Sequence, residues 1–196
     1  MRTILRGFNF ICYCFYSIMA KFLWGKALKV DGLFHKKLNT QIIISNEGKM
    51  VLKKDVNFQK NVSLTATGGG TLSIGENATF NRNCIVICRN KITIEDNVIF
   101  GPGVTIYDHD HIFSTKGIEK GFKLGEVVIG KGCWIAANVV ILRNIHIGEG
   151  CVIGAGCIVK GDIPPHSLVK GNRGLSILPI KDVDQGKVKN DGANKL

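Results

Sequence analysis

The stretch IGKGCWIAANVVILRNIHIGEGCVIGAGCIV, residues 129–159, sets an aliphatic side chain at every sixth position: Ile129, Ile135, Ile141, Ile147, Ile153 and Val159. If such residues fill about a quarter of positions, six in register arise by chance about once in 4000 trials before a register is chosen. The residues that follow them are Gly130, Ala136, Leu142, Gly148, Gly154 and Lys160, mostly small. The fifth place of each hexad holds Cys133, Val139, Ile145, Cys151, Cys157 and Ile163, all compact and apolar. A period of six is neither the 3.6 of a helix nor the 2 of a strand. It fits a chain that makes a short strand, turns a corner and repeats, with one large side chain per strand pointing inward. Stacked coils of that kind bury a continuous core.

The same rule extends upstream through Ile74, Phe80 and Val86, then slips by two residues to Ile94, Phe100, Ile106 and Ile112. Gly75 and Gly101 take the small place, and Ala78, Cys84, Val98 and Val104 the fifth. Leu52, Phe58 and Leu64 read as a degraded first coil, interrupted by Gly68, Gly69 and Gly70. Gly103, Asn138, Gly150 and Gly156 fall where corners call for left-handed backbone, which glycine and asparagine adopt most readily. Cys84, Cys133, Cys151 and Cys157 share one inward position, which makes them packing residues rather than reagents.

The rest of the 196 residues bounds the class of protein. Apolar residues make up 45% and charged residues 21%, the composition of a globular domain. No apolar run is long enough to span a bilayer. Lysine and arginine exceed aspartate and glutamate by 26 to 15, yet no zinc-finger spacing, aromatic RNA-binding motif or helix-turn-helix pattern accompanies the charge, so nucleic acid is not expected as a partner. The positive charge is concentrated in residues 1–40, where Arg2, Arg6, Lys21, Lys26, Lys29, Lys36 and Lys37 face Asp31 alone. This segment carries the apolar run FNFICYCFYSIMA, residues 8–20. It reads as a helix lying on an anionic membrane surface, as a helix packed on the domain, or as a signal segment with a poor cleavage site. Residues 41–180 are expected to form the solenoid domain, and the polar residues 181–196 a flexible tail. Seven cysteines, odd in number and without paired CxxC spacing, fit a reduced, cytoplasmic chain.

The hexads resemble those of the hexapeptide-repeat acyltransferases, whose fold is a left-handed parallel β-helix. The resemblance spans residues 74–175, about half the chain. Ile129-Gly130-Lys131-Gly132-Cys133-Trp134-Ile135 is similar to the family's IGxxxWIG segment. Ile153-Gly154-Ala155-Gly156-Cys157-Ile158-Val159, followed by Asp162-Ile163-Pro164-Pro165, is similar to its IGAGSVV…DIPP ending. The run Asp108-His109-Asp110-His111 looks most like the O-acetyltransferases of capsule, exopolysaccharide and lipopolysaccharide gene clusters, with the galactoside and maltose acetyltransferases as close relatives.

After Ile112 the repeat disappears until Val127 or Ile129. The intervening FSTKGIEKGFKLGE, residues 113–126, is polar and glycine-rich, and is expected to project from the coils as a loop. His109 and His111 stand just before it, where a neutral imidazole can take the proton of an attacking hydroxyl. Asp108 or Asp110 could orient the imidazole, and the sequence does not say which. The resemblance, aligned through Gly101-Pro102-Gly103-Val104-Thr105, gives the base to His111 and leaves His109 an acceptor-positioning role. It also implies sugar contacts at Asn83 and Trp134. Coenzyme A would lie in a groove between prisms, near Ala137, Ala155, Lys160, Gly161 and Arg173, with Lys160 or Arg173 meeting its phosphates. Two departures weaken the phosphate assignment: Lys160-Gly161 replaces the family's Thr-Lys, and Gly171-Asn172-Arg173-Gly174 its Gly-Asn-Pro-Ala. Zinc-bearing relatives of this architecture gather three histidines. Here the third would have to be His146, and no metal is expected.

The implied function is transfer of an acetyl group from acetyl-CoA to a sugar hydroxyl, directly in a ternary complex, in surface-polysaccharide synthesis. Homotrimers with sites between subunits are expected, in the cytoplasm or peripherally on the inner face of the membrane. The competing readings are a xenobiotic acetyltransferase of the same fold and a non-catalytic β-helix scaffold.

Overall fold

The computed structural model describes Met19, residues 25–172 and residues 174–179. From Leu28 onward the chain winds as a parallel β-solenoid, each coil made of three short strands, so that three sheets form the faces of a prism. The first coil is Leu28–Val30, His35–Lys36 and Gln41–Ile44, and the second Lys49–Leu52, Asn57–Phe58 and Ser63–Ala66. The third is Thr71–Ile74, Thr79–Phe80 and Ile85–Cys88, and the fourth Lys91–Ile94, Ile99–Phe100 and Thr105–Tyr107. The fifth is Glu126–Ile129, Trp134–Ile135 and Val140–Ile141, and the sixth Ile145–Ile147, Val152–Ile153 and Ile158–Val159. The first strands of all coils form face one, the second strands face two and the third strands face three.

The hexad positions become inward columns because coils pair in register. On face one, Leu52, Ile74, Ile94, Ile129 and Ile147 follow one another directly. On face two the column is Phe58, Phe80, Phe100, Ile135 and Ile153, and on face three Leu64, Val86, Ile106, Ile141 and Val159. All of these are buried. The rings of Phe34, Phe58, Phe80 and Phe100 make a ladder with centroid spacings of 6.2, 5.3 and 4.5 Å. Phe100 is therefore wholly inward, and its neighbour Ile99 occupies the outer face instead.

Corners obey the expected chemistry. Gly103, Asn138, Gly150 and Gly156 all have positive φ, between 56° and 72°. At the small positions the coils approach too closely for a side chain. A Cβ on Gly148 would lie 2.4 Å from the Pro165 nitrogen of the next coil.

Three expectations need correction. The solenoid does not begin at 41: Leu28–Val30 already pairs with Lys49–Leu52, and His35–Lys36 with Asn57–Phe58. The coil holding Leu52, Phe58 and Leu64 is the second, and it is intact. Its neighbours are offset by 22 residues and the third and fourth coils by 20, as the cross-coil bonds Lys53 to Asp31 and Asn77 to Asn97 record. Four-residue strands there bury two side chains each, such as Leu72 with Ile74, and this hides the period. Ile112 leaves the repeat altogether and lies on a hairpin strand, only partly buried. The helical reading of the amino-terminal segment, Met19 apart, falls on residues 1–24, outside the described residues, as do the tail 181–196 and Arg173. Among the described residues no helix is long and apolar enough to cross a membrane.

Cys84, Cys88, Cys133, Cys151 and Cys157 are free and buried. Burial pushes the Cys84 and Cys133 thiols up to about 11. Both remain protonated and donate to carbonyls of the next coil, Gly101 at 3.2 Å and Gly148 at 3.1 Å. A thiol reagent at pH 8 should therefore leave these five cysteines unlabelled in the folded protein and react with them on denaturation, as peptide mapping would show. Phe80→Ala, which breaks the aromatic ladder on both sides, should lower the unfolding free energy by about 3–5 kcal/mol in urea titrations.

Candidate active site at the hairpin

A solenoid can accept extra residues only where its pairing is interrupted, at a corner. After Thr105–Tyr107 the chain leaves the prism at Asp108 and returns at Gly125, whose N–H donates to the Asp108 carbonyl at 2.8 Å. Between these points His109–Ser114 and Gly117–Leu124 pair as an antiparallel hairpin. The expected loop is thus an ordered arm that begins earlier than 113, and both histidines belong to its first strand.

Asp108 has no exposed surface, although it carries a carboxyl group. Its carboxylate accepts the backbone N–H of Arg89 at 2.9 and 3.0 Å and that of Asn90 at 2.7 Å, both from the corner of the third coil. The Asn90 side chain in turn donates to the Gly125 carbonyl at 2.8 Å. Asp108 also meets the Cys88 thiol and His109, whose Nδ1 lies 3.0 Å from Oδ1. An ionised carboxylate only accepts, so Nδ1 carries the proton and Nε2 keeps its lone pair. Asp110 points elsewhere and pairs with Arg143 of the fifth coil, both groups partly exposed. Of the two aspartates, Asp108 lies against an imidazole, that of His109, and Asp110 ties the hairpin to Arg143 of the next coil.

Phe122 joins these parts. The Arg89 guanidinium lies over its ring at 3.7 Å, while His109 meets it edge-on at 5.3 Å and His111 is tilted against it at 4.8 Å. His109 has a side-chain exposure of 11%, whereas His111 is exposed. An open groove runs between the hairpin and face three, lined by Ile87 and Tyr107 from the face and by His109, Asp110, His111, Phe113 and Ile118 from the arm. The thiol beneath, Cys88, is raised far above its usual range by burial and by the adjacent Asp108 charge, which suits packing and not nucleophilic attack.

The other candidate residues sort onto two edges of the prism. Asn83, Ala137 and Ala155 lie on the edge between faces two and three, in the third, fifth and sixth coils. Asn83 is an exposed corner residue with φ 62°, and its side-chain oxygen accepts from Asn61 at 3.2 Å. Asp108, the histidines, Lys160 and Gly161 lie on the opposite edge of face three. Trp134 stands outward on face two, 52% exposed, in register with the equally exposed Ile99. One chain therefore does not bring Asn83 or Trp134 to the histidines. His146 is on face one beside Asp162, also apart from them. Arg89, Phe122 and Arg143 escaped the sequence reading. The trace of Arg89 and Asn90 was the two-residue slip between Val86 and Ile94, which falls on their corner.

Residues 126–161 match the model of the bacterial transferase hexapeptide family, described as six repeats. Nodulation protein L of Rhizobium meliloti (strain 1021) is 40% identical over 105 residues, covering 53% of this chain and 57% of that protein. The chain thus spans little more than half the length of this relative. A galactoside acetyltransferase solved in complex with coenzyme A superimposes with a TM-score of 0.53 at 26% identity, over 81% of this chain and 74% of its own. The polySia specific acetyltransferase NeuO shares the fold, with a TM-score of 0.56 at 20% identity over 83% of this chain and 92% of its own.

The two aspartates should differ sharply in stability. Asp108→Ala strands two buried backbone N–H groups and should cost about 3 kcal/mol or more in chemical denaturation. Asp110→Ala removes a solvent-screened ion pair and should cost about 1 kcal/mol or less.

Proposed function

We propose, from its likeness to the hexapeptide-repeat acetyltransferases, that this chain is an acetyl-CoA-dependent O-acetyltransferase acting on a sugar hydroxyl. The observation that carries this reading is the histidine pair on an ordered arm over an open groove, with one imidazole fixed by a buried carboxylate. That arrangement performs general-base chemistry. The hydroxyl oxygen attacks the thioester carbonyl carbon as an imidazole of the His109–His111 pair takes its proton. A backbone N–H stabilises the oxyanion, the C–S bond breaks, and the thiolate of coenzyme A recovers the proton from the imidazolium. No covalent acyl-enzyme is needed, and no described cysteine is placed to form one.

Coenzyme A is the proposed donor, lying along the edge that carries Ala137 and Ala155, with Lys160 and Gly161 contributing from the edge that carries the histidines. The separation of these two edges within one chain supports a homotrimer. A threefold arrangement would set the hairpin edge of one prism against the Asn83 edge of the next, and so complete a sugar site with Asn83 and Trp134. The outward apolar residues Ile43, Ile85, Ile99, Trp134 and Ile158 suit burial in such contacts. The basic residues 1–40 fit an acceptor carried on a lipid at an anionic membrane surface, which favours a polysaccharide precursor over a soluble drug.

Incubation with acetyl-CoA and a panel of glycosides, followed by thiol titration and mass spectrometry, tests the activity. The expected result is one coenzyme A released per O-acetyl group gained. Folded protein that releases no coenzyme A with any sugar would leave the scaffold reading, and turnover restricted to antibiotic acceptors would leave the xenobiotic one. Light scattering at micromolar concentration should give three times the chain mass, and a monomer would remove the shared-site arrangement.

A further inference from the structure

We infer that the corner between faces two and three is, along the first three coils, a binding edge for a glycan chain bearing repeated anionic groups. The inference rests on the sugar acetyltransferase reading and names its acceptor class, an acidic oligosaccharide or polysaccharide.

This corner sets one residue per coil at the same outward position, each followed by a residue with left-handed backbone. Cross-coil bonds from that following residue fix the column as Leu38, Lys60, Arg82, Pro102, Ala137 and Ala155. The column changes character along the axis. Its last three members are small and uncharged, and two of them lie where the donor is proposed. Lys60 and Arg82 are exposed cations, and Lys37 stands beside Leu38 in the first coil, exposed as well. Lys37 donates to the neutral amide of Gln59 at 2.7 Å, which leaves its charge in place. Neither Lys60 nor Arg82 has a carboxylate partner among the described residues.

No aspartate or glutamate occurs at this corner in any coil, across residues 37–40, 59–62, 81–84, 101–104, 136–139 and 154–157. The outward residues on its flanks are neutral too, Thr79 on face two and Ser63 and Ile85 on face three. By contrast, the corner between faces one and two pairs lysines with acids, Lys53 with Asp31 and Lys54 with Glu76. A row of like charges repels itself and is relieved by a bound polyanion. Stacked coils set the backbones of these cations about 4.8 Å apart along the axis, so the row outreaches a single carboxylate or phosphate and fits a chain of them. The first three coils carry no exposed aromatic side chain at this corner, which favours a glycan over stacked nucleic-acid bases. Asn83 follows Arg82 directly, so a chain held on the row reaches the residue proposed to meet the sugar. In the threefold arrangement this edge faces the hairpin of the next prism, and the glycan presents its hydroxyls to the histidine pair there.

The test measures binding to the full chain by fluorescence anisotropy without acetyl-CoA. Labelled hexagalacturonate is the polyanionic probe and labelled maltohexaose its neutral counterpart. Hexagalacturonate should bind at least about tenfold more tightly, and raising salt from about 50 to about 300 mM should weaken it by about tenfold. The double variant Lys60→Gln/Arg82→Gln, checked for folding by circular dichroism, should lose about tenfold or more of that affinity, and Lys60→Arg/Arg82→Lys should keep most of it. Lys49→Gln, which removes an exposed cation from face one, should bind like the wild type. In turnover, the Gln variant should raise the KM for acidic acceptors and leave the KM for acetyl-CoA within about twofold. Equal binding of the two oligosaccharides, or unchanged affinity in the Gln variant, overturns the inference, as does tighter binding of single-stranded DNA of equal charge. Hexagalacturonate binding that depends on Lys60 and Arg82 in a protein releasing no coenzyme A supports the edge and removes the acetyltransferase reading alone.

Discussion

Coil-to-coil backbone pairing is the constraint on which the rest of this molecule depends. Along face two, Asn57 N–H donates to Ala78, Thr79 to Val98, Ile99 to Cys133 and Trp134 to Cys151, each at 2.8–2.9 Å. Such a ladder fixes which residue lies above which, because a slip of one would turn an inward side chain outward. Strands therefore cannot absorb insertions, and every irregularity is driven to a corner. The hairpin arm is the largest of these irregularities, and its root is held by bonds of the same kind that stack the coils.

At that root the prism and the chemistry share a side chain. Asp108 substitutes for a backbone acceptor at the Arg89-Asn90 corner, and with its other interaction it orients an imidazole. The coil below thus supports the candidate site through its corner as well as lining the groove with Ile87. Phe122 performs a similar service from the returning strand, taking a guanidinium on one side and two imidazoles on the other. The arm is tied to the third, fourth and fifth coils through Arg89, Asp108 and Arg143.

The fold was legible where the coils carry no extra residues. Val127 pairs with Ile145 three hexads later, so residues 129–159 announce the period directly. The earlier coils were harder to read, because their longer strands and corners change the step from coil to coil while the inward columns stay aligned. For the site, histidines interrupting an aliphatic column were a visible signal. The burial of Asp108 was not, since its main partners are backbone N–H groups, which leave no mark in a sequence. Its separation from Asp110 in role was equally hidden, because residues two apart share a face only within one strand, and Asp108 sits at the turn between two strands while Asp110 lies in the hairpin.

A solenoid of parallel strands is open at its ends, and an open end is a template for another copy of itself. Beyond the sixth coil, Ser167–Asn172 continues face two in parallel, but Gly174–Pro179 then folds back on it with reversed direction. A second prism arriving at this end would meet, on face two, a strand whose direction is opposite to that of the coils, so the ladder could not be extended there as an uninterrupted parallel stack. On that face the reversal marks where the sequence of parallel coils stops among the described residues.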